Sequence, residues 1–166
     1  MRGCYKFLLV LFLALSVSAC GGYGSTKLVA PVTGVARSAE ISVTHIKSDV
    51  EVPPNILSTF ESRLNDSIYK DAGFQQGDGV KLEWSFVNFT KGSRAARYFM
   101  GGFGQTGAGK LKVRARFLDT KGIQLSVIES EGVVAGGFFG GSYGTAIKEA
   151  VREISAYAVK NYGVGK

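Results

Sequence analysis

The stretch with the most recognisable chemistry is GGFGQTGAGKL, residues 101–111. It has the G-x-G-x-x-G spacing of dinucleotide-binding turns at Gly102, Gly104 and Gly107, and it nearly matches a phosphate-binding loop ending at Lys110. A phosphate-binding loop needs a Ser or Thr after its lysine to hold magnesium, and a helix must follow. Here a leucine follows, and the next residues alternate with the period of a strand. The sequence therefore predicts no nucleotide cofactor.

Few other residues have types and spacing that suit catalysis or metal binding. His45 is the single histidine, and it shares strand parity with Ile41 and Val43, which predicts a histidine at the edge of the core. Asp119 falls in a predicted turn, where Asp is common for backbone reasons. Without a histidine pair or a cysteine cluster, the chain lacks the spacing of a metal site. We expect a protein that is not an enzyme and has no metal.

The N-terminus has the layout of an export signal. Two cations precede an apolar run at 7–15, which is too short to span a bilayer. Residues 17–20, Val-Ser-Ala-Cys, resemble a bacterial lipobox. This resemblance implies that residues 1–19 are removed and that Cys20 becomes the lipidated first residue. The other interpretation is an ordinary signal peptidase site beside a spare cysteine.

The residue after Cys20 is Gly21, which resembles the sorting pattern of lipoproteins in the bacterial outer membrane. The folded part would then lie in the periplasm. The formal net charge is +7. Such a charge fits anionic neighbours such as lipid or glycan head groups. Nucleic acid is excluded as a partner of an exported chain, so the expected partners are the membrane, through the lipid on Cys20, and other molecules of the envelope.

The pattern divides the exported chain into a tether and one domain. Residues 20–40 have no sustained period and predict a flexible, lipidated tether. A single α+β domain is expected over 41–163. Its elements follow the order β-α-β-β-β-α, which predicts a small, mainly antiparallel sheet with two amphipathic helices packed on one face.

A hairpin is predicted around the turn at 119–122, and its register can be tested against the apolar pattern. Residues 110–117 alternate cationic and apolar side chains. We expect a β-bulge at 127–128, which keeps carboxylates off the buried face. Glu129 would then face Lys112. Glu131 would then face Lys110.

Two glycine-rich segments flank this hairpin, 101–109 and 136–144. Since a hairpin brings its open ends together, we expect Phe103, Phe138 and Phe139 to lie in one neighbourhood. One interpretation is that these rings cap the core while glycines permit tight turns. The other is an exposed apolar patch for a partner or for the membrane interface.

Arginines are the candidates for recognition of an anionic partner, because the guanidinium group binds phosphate or carboxylate through two hydrogen bonds. A charged strand face that is simply solvated is the other interpretation. The candidates are Arg94, Arg97, Arg114 and Arg116.

The order Gly92-x-Arg94-x-x-Arg97-Tyr98, then GGFGQTGAGKLKVRARFLDTKG, then a glycine-rich segment and a terminal helix resembles a family of bacterial lipoproteins known as domain of unknown function 4410. The resemblance covers residues 41–162. In that family G-F-G-A-G-K is frequent, whereas this turn is longer. The resemblance implies no established activity and no catalytic residue.

These observations lead to two functional hypotheses. The first is a non-enzymatic, membrane-anchored accessory protein whose aromatic patch contacts another envelope protein. The second is a periplasmic module that binds a small ligand, lipid or glycan in the same region.

Overall fold

The computed structural model describes residues 24–30, 37–91, 109–134 and 143–164. These residues form six strands and two helices, and the first helix continues into a π-helical turn at Ser67–Asp71. The elements are β1 Gly24–Ala30, β2 Glu40–His45, α1 Pro54–Asp66, β3 Gln75–Gln76, β4 Val80–Thr90, β5 Lys110–Leu118, β6 Gln124–Val133 and α2 Tyr143–Tyr162.

All six strands belong to one sheet in the order β1-β6-β5-β4-β2-β3. The pairs β1–β6, β6–β5 and β5–β4 are antiparallel, whereas β2 runs parallel to β4 and to the short β3. The parallel pair follows from α1, which carries the chain back to the starting end of the sheet. The predicted α+β class with a mainly antiparallel sheet is confirmed.

Proline or glycine residues mark three of the four helix ends. Pro53 caps α1, and Pro54 occupies its first turn, where a missing N–H leaves no hydrogen bond unmade. Gly73 adopts φ +77° just after the π-helical turn, a conformation that glycine tolerates best. α2 ends at Tyr162, before Gly163.

The core lies between the helices and one face of the sheet. Side chains on β4 and β5 alternate between this face and the open face, as their period of two requires. Trp84, Phe60 and Phe86 form an aromatic group with ring centroids 4.8 to 5.8 Å apart. Such contacts add to the free energy gained by burying their apolar surface. The predicted inward residues of β5 are all fully buried: Leu111, Val113, Ala115 and Phe117.

Small side chains on β6 let α2 approach the sheet closely. Ser126 and Ser130 are fully buried and face α2, where the Ser130 hydroxyl donates to the Ala150 carbonyl oxygen at 3.2 Å. At Gly132 the helix backbone is so near that an added Cβ would overlap the Ala146 carbonyl group. Serine and glycine at these positions therefore set the distance between α2 and the sheet.

The tether prediction for 20–40 is wrong over Gly24–Ala30. These residues form β1, an edge strand that pairs with β6 from Gly24 opposite Gly132 to Ala30 opposite Val127. Local composition gives little sign of this strand because only two apolar residues, Leu28 and Val29, stand out and both are half exposed. Pairing with β6 supplies the backbone hydrogen bonds that stabilise it.

The predicted bulge is also misplaced. The irregularity in the β5–β6 ladder lies nearer the turn, where Leu118 pairs with Gln124 and Phe117 pairs with Ser126. Glu129 therefore faces Arg114, and Glu131 faces Lys112. The physical reason is that Ser126 and Ser130 point inward, whereas the prediction placed only apolar side chains on the buried face.

Among the described residues, neither helix combines the length and the apolar composition that crossing a bilayer requires.

Candidate functional site

The strand register brings several chain segments to one end of the sheet. Gly24 lies opposite Gly132, which lies opposite Leu111, which in turn lies opposite Phe89. α2 also starts here, because the hydroxyl of its first residue, Tyr143, is bonded to the Thr90 carbonyl oxygen. We call this end the loop end, defined by Gly24, Phe89–Lys91, Gly109–Leu111, Gly132–Val134 and Tyr143–Gly144. The opposite end, which carries the 119–123 hairpin turn, is called the turn end.

Hydrogen bonds join the residues that flank the two glycine-rich segments at the loop end. The Tyr143 hydroxyl donates to the Thr90 carbonyl oxygen at 2.9 Å, and the Val134 N–H donates to the Gly109 carbonyl oxygen at 2.8 Å. The Thr90 hydroxyl oxygen accepts from the Lys110 N–H at 3.1 Å. The chain on both sides of 92–108, at Thr90 and Gly109, is thus bonded to the chain on both sides of 135–142, at Tyr143 and Val134.

An aromatic contact and a cleft also lie at the loop end. The rings of Phe89 and Tyr143 stack with centroids 5.3 Å apart. Beside Phe89 is a cleft of about 330 Å³ that has both apolar and charged walls. It is lined by Glu51, Val52, Pro53, Pro54, Phe89 and Lys91.

Most of the site residues named from the sequence lie outside the described residues. They are Cys20, Arg94, Arg97, Phe103, Phe138 and Phe139. The structure does place the flanks of their segments, and those flanks converge at the loop end.

Arg114 lies on the open face of the sheet and contacts two carboxylates. Its Nε and Nη2 donate to Glu129 Oε1 at 3.2 and 2.9 Å, and its Nη1 donates to Asp49 Oδ2 at 3.3 Å. The Glu129 side chain retains 18% of its exposure, compared with 37% for Arg114. An external anion would have to compete with both carboxylates for this guanidinium group.

The other cations of β5 are paired less closely. Arg116 Nη1 lies 3.4 Å from Glu83 Oε2, and Lys112 Nζ lies 3.6 Å from Glu131 Oε2. Lys110 Nζ is 3.9 Å from Glu131. Over the described part of the open face, carboxylates thus accompany all four cations of β5, and Arg116 with its single contact is the more available of the two arginines.

His45 lies at the edge of the core, as its strand parity predicts. Its ring centroid is 4.5 Å from that of Trp84, and its Nε2 is 3.2 Å from the Ser48 hydroxyl oxygen. That oxygen also accepts a hydrogen bond from the Phe86 N–H at 3.1 Å. The sequence analysis did not identify Ser48, since its role depends on the turn after β2. The Ser48 hydroxyl thus joins this turn to β2 through His45 and to β4 through Phe86.

Asp119 has the backbone role that its position in the turn predicts. Its Oδ1 accepts hydrogen bonds from the Lys121 and Ile123 N–H groups at 2.9 and 2.8 Å. Gly122 completes the turn with φ +81°. Within the described ranges, no group of three His, Cys, Asp or Glu side chains is arranged to hold a metal ion.

A second depression lies between α2 and the end of α1, and sequence patterns gave no sign of it. Its volume is about 480 Å³, and its floor is formed by small apolar residues including Ala72, Ala156 and Val159. Arg152 at its rim lies 2.8 Å from Glu149 and 3.0 Å from Glu153. The hydrogen bond to Glu153 and the charge of Glu149 raise the pKa of Arg152.

Comparison with known proteins gives no matching family model and no matching curated protein. Two solved structures of PelC dodecamers from Paraburkholderia phytofirmans resemble the chain. The first, a PelC variant, has 14% identity and a TM-score of 0.48, and the match covers 83% of this chain and 95% of that one. The second, PelC, has 12% identity, the same TM-score, and coverage of 84% and 97%.

Proposed function

We propose that this protein is a lipid-anchored bacterial lipoprotein that acts without catalysis, as an interaction module of an envelope assembly. The proposed anchor is the lipid on Cys20, at the outer membrane, with the domain in the periplasm. The proposed contact surface is the loop end together with the glycine- and phenylalanine-rich segments that leave it.

One observation carries the proposal: both of these segments join the fold at the same end. Val134 is bonded to Gly109 and Tyr143 is bonded to Thr90, so the residues that flank the two segments are joined by hydrogen bonds. By sequence the segments contain Phe103, Phe138 and Phe139 among glycines. Aromatic side chains dominate the energetics of many protein interfaces, which supports a binding role for this end.

In-cell photo-crosslinking tests the proposal. A photoreactive amino acid would replace Phe103 or Phe138 in one set of variants and Lys121, at the turn end, in the control. We expect a discrete crosslinked envelope protein from the first two sites and none from Lys121. Equal crosslinking from all three sites would contradict a dedicated surface. Metabolic labelling with a fatty acid tests the anchor separately, since Cys20→Ala must abolish it.

The second candidate is a module that binds a small ligand, lipid or glycan. The cleft beside Phe89 favours it, because that cleft combines an aromatic wall with the charged groups of Lys91 and Glu51. Mass spectrometry of the protein extracted from its native membrane would reveal a bound molecule. Loss of that molecule in Phe89→Ser, without loss of folding, would favour this candidate over a protein partner.

A further inference from the structure

We infer that the loop end of the domain is held against the lipid head-group layer, with the turn end pointing away from the bilayer. This inference rests on the proposed lipidation of Cys20. It deepens the proposed function because it places that surface, and any protein partner bound to it, at the lipid bilayer.

The inference starts from the length of chain between the anchor and the fold. β1 begins at Gly24, four residues after Cys20. Four residues span at most about 14 Å even when fully extended. The start of β1 must therefore stay within about that distance of a lipidated Cys20, whatever path the link takes.

The next step is the direction of β1 in the sheet. Its first residue, Gly24, is paired with Gly132 at the loop end, whereas Ala30 is paired with Val127 towards the turn end. β5 runs between the two ends over the nine residues Lys110–Leu118. At about 3.3 Å per residue, the ends lie about 30 Å apart. This separation exceeds the reach of the link, so the anchor holds one end and not the other.

The third step is the chemistry at the end that is held. Lys91 is exposed there, in the same cleft as Glu51, and the Lys110 side chain, 3.9 Å from Glu131, is 40% exposed. The apolar wall of the 330 Å³ cleft, including Phe89 and Pro53, opens beside Lys91. Amines above apolar surface suit a head-group layer, where phosphates lie over hydrocarbon.

Energy transfer to the bilayer tests the orientation. The natural, lipidated full chain would be reconstituted into vesicles of phosphatidylethanolamine and phosphatidylglycerol with an acceptor dye on head groups. Lys91→Cys and Lys121→Cys each provide one exposed thiol for a donor dye, one at each end. We expect transfer from position 91 to exceed that from position 121 at least twofold. Equal transfer, or more from position 121, would overturn the inference.

A variant of the link provides the matched control. A flexible Gly/Ser insertion of about 20 residues after Gly21 adds a mean span of roughly 25 Å. We expect it to reduce the difference between the two labels to within error. A difference that persists would contradict the role of the short link. Chain that does not float with the vesicles would overturn the proposed lipidation instead, so the two failures are distinguishable.

Discussion

The hydroxyl groups of Ser126 and Tyr162 lie 2.6 Å apart, and neither residue is accessible to solvent. This hydrogen bond joins β6 to the last residue of α2. The Tyr162 ring also packs 4.9 Å from that of Phe117. The C-terminus of α2 is thus fixed to the sheet by one buried polar contact within an apolar group.

Replacing Ser126 with alanine should destabilise the domain by about 1 to 3 kcal/mol, because the Tyr162 hydroxyl would be left buried without its partner. Urea unfolding followed by circular dichroism measures the change. The matched control is Ser25→Ala, an exposed serine on β1, for which we expect a change within about 0.5 kcal/mol. Equal effects of the two substitutions would contradict the role of the buried contact.

Tyr162 should also make stability depend on alkaline pH. Burial raises the pKa of Tyr162 above its ordinary value, and the hydrogen bond from Ser126 offsets this only in part. The folded state therefore keeps the phenol proton to higher pH than the unfolded chain does. The contribution is complete below about pH 10 and is lost as pH rises from there through the raised pKa.

The comparison of wild type with Tyr162→Phe between pH 8 and 11.5 isolates this contribution. We expect the urea midpoint of the wild type to fall more steeply above about pH 10 than that of the variant. Burial also raises the pKa of Tyr69, so the variant should retain part of the slope. If the urea midpoints of the two proteins fell in parallel with pH, Tyr162 would make no contribution to the pH dependence.

Gly132→Ala should destabilise the domain by about 1 to 3 kcal/mol through overpacking. A methyl group at this position would overlap the Ala146 carbonyl group, so α2 would have to move away from β6. The adjacent substitution Glu131→Ala, on the open face, should cost less than about 1 kcal/mol. Denaturant unfolding of both variants gives the comparison, and a Gly132→Ala variant as stable as wild type would show that the helix adapts freely.

The Arg114–Glu129 pair should contribute little to stability despite its two hydrogen bonds. Its members are partly exposed, and coupling energies for such pairs are about 1 kcal/mol or less. A double-mutant cycle with Arg114→Gln and Glu129→Gln measures this energy. The Arg116–Glu83 pair, with one contact at 3.4 Å, should give a smaller value. The opposite ranking would mean that geometry on this face does not govern the coupling.

Hydrogen exchange should distinguish strand β1 from a tether. Amides of Gly24–Ala30 that bond to β6 should exchange at least tenfold more slowly than an unstructured peptide of the same sequence. Mass spectrometry of peptic fragments resolves this segment, and the free synthetic peptide provides the reference rate. Exchange of β1 at the peptide rate would restore the tether interpretation.

Local patterns were sufficient for the elements whose burial alternates strongly. Phe60 and Leu64 of α1 and Ile68 of the π-helical turn recur at helical spacing and are fully buried, and Leu57 is partly buried. β5 buries every second residue. In both cases the apolar period is intrinsic to the segment and does not depend on a partner.

The bulge and the first strand were misjudged because each depends on distant contacts. Ser126 and Ser130 look solvent-facing by type, yet their hydroxyls are satisfied by Tyr162 and by the Ala150 carbonyl oxygen of α2. β1 is stabilised by β6, and an edge strand needs few apolar residues. For the candidate site, the sequence predicted only that the two glycine-rich segments lie close together. Their aromatic residues show no helical or strand periodicity, so the sequence does not indicate where the rings lie.

The pairing of β1 with β6 determines when the first strand can join the sheet during folding. More than 100 residues separate Gly24 from its partner Gly132, so β1 cannot pair until most of the chain has been synthesised. Non-local pairing of this kind forms late in folding. Until β6 has formed, the segment Gly24–Ala30 has no partner in the sheet and stays accessible to proteases and chaperones.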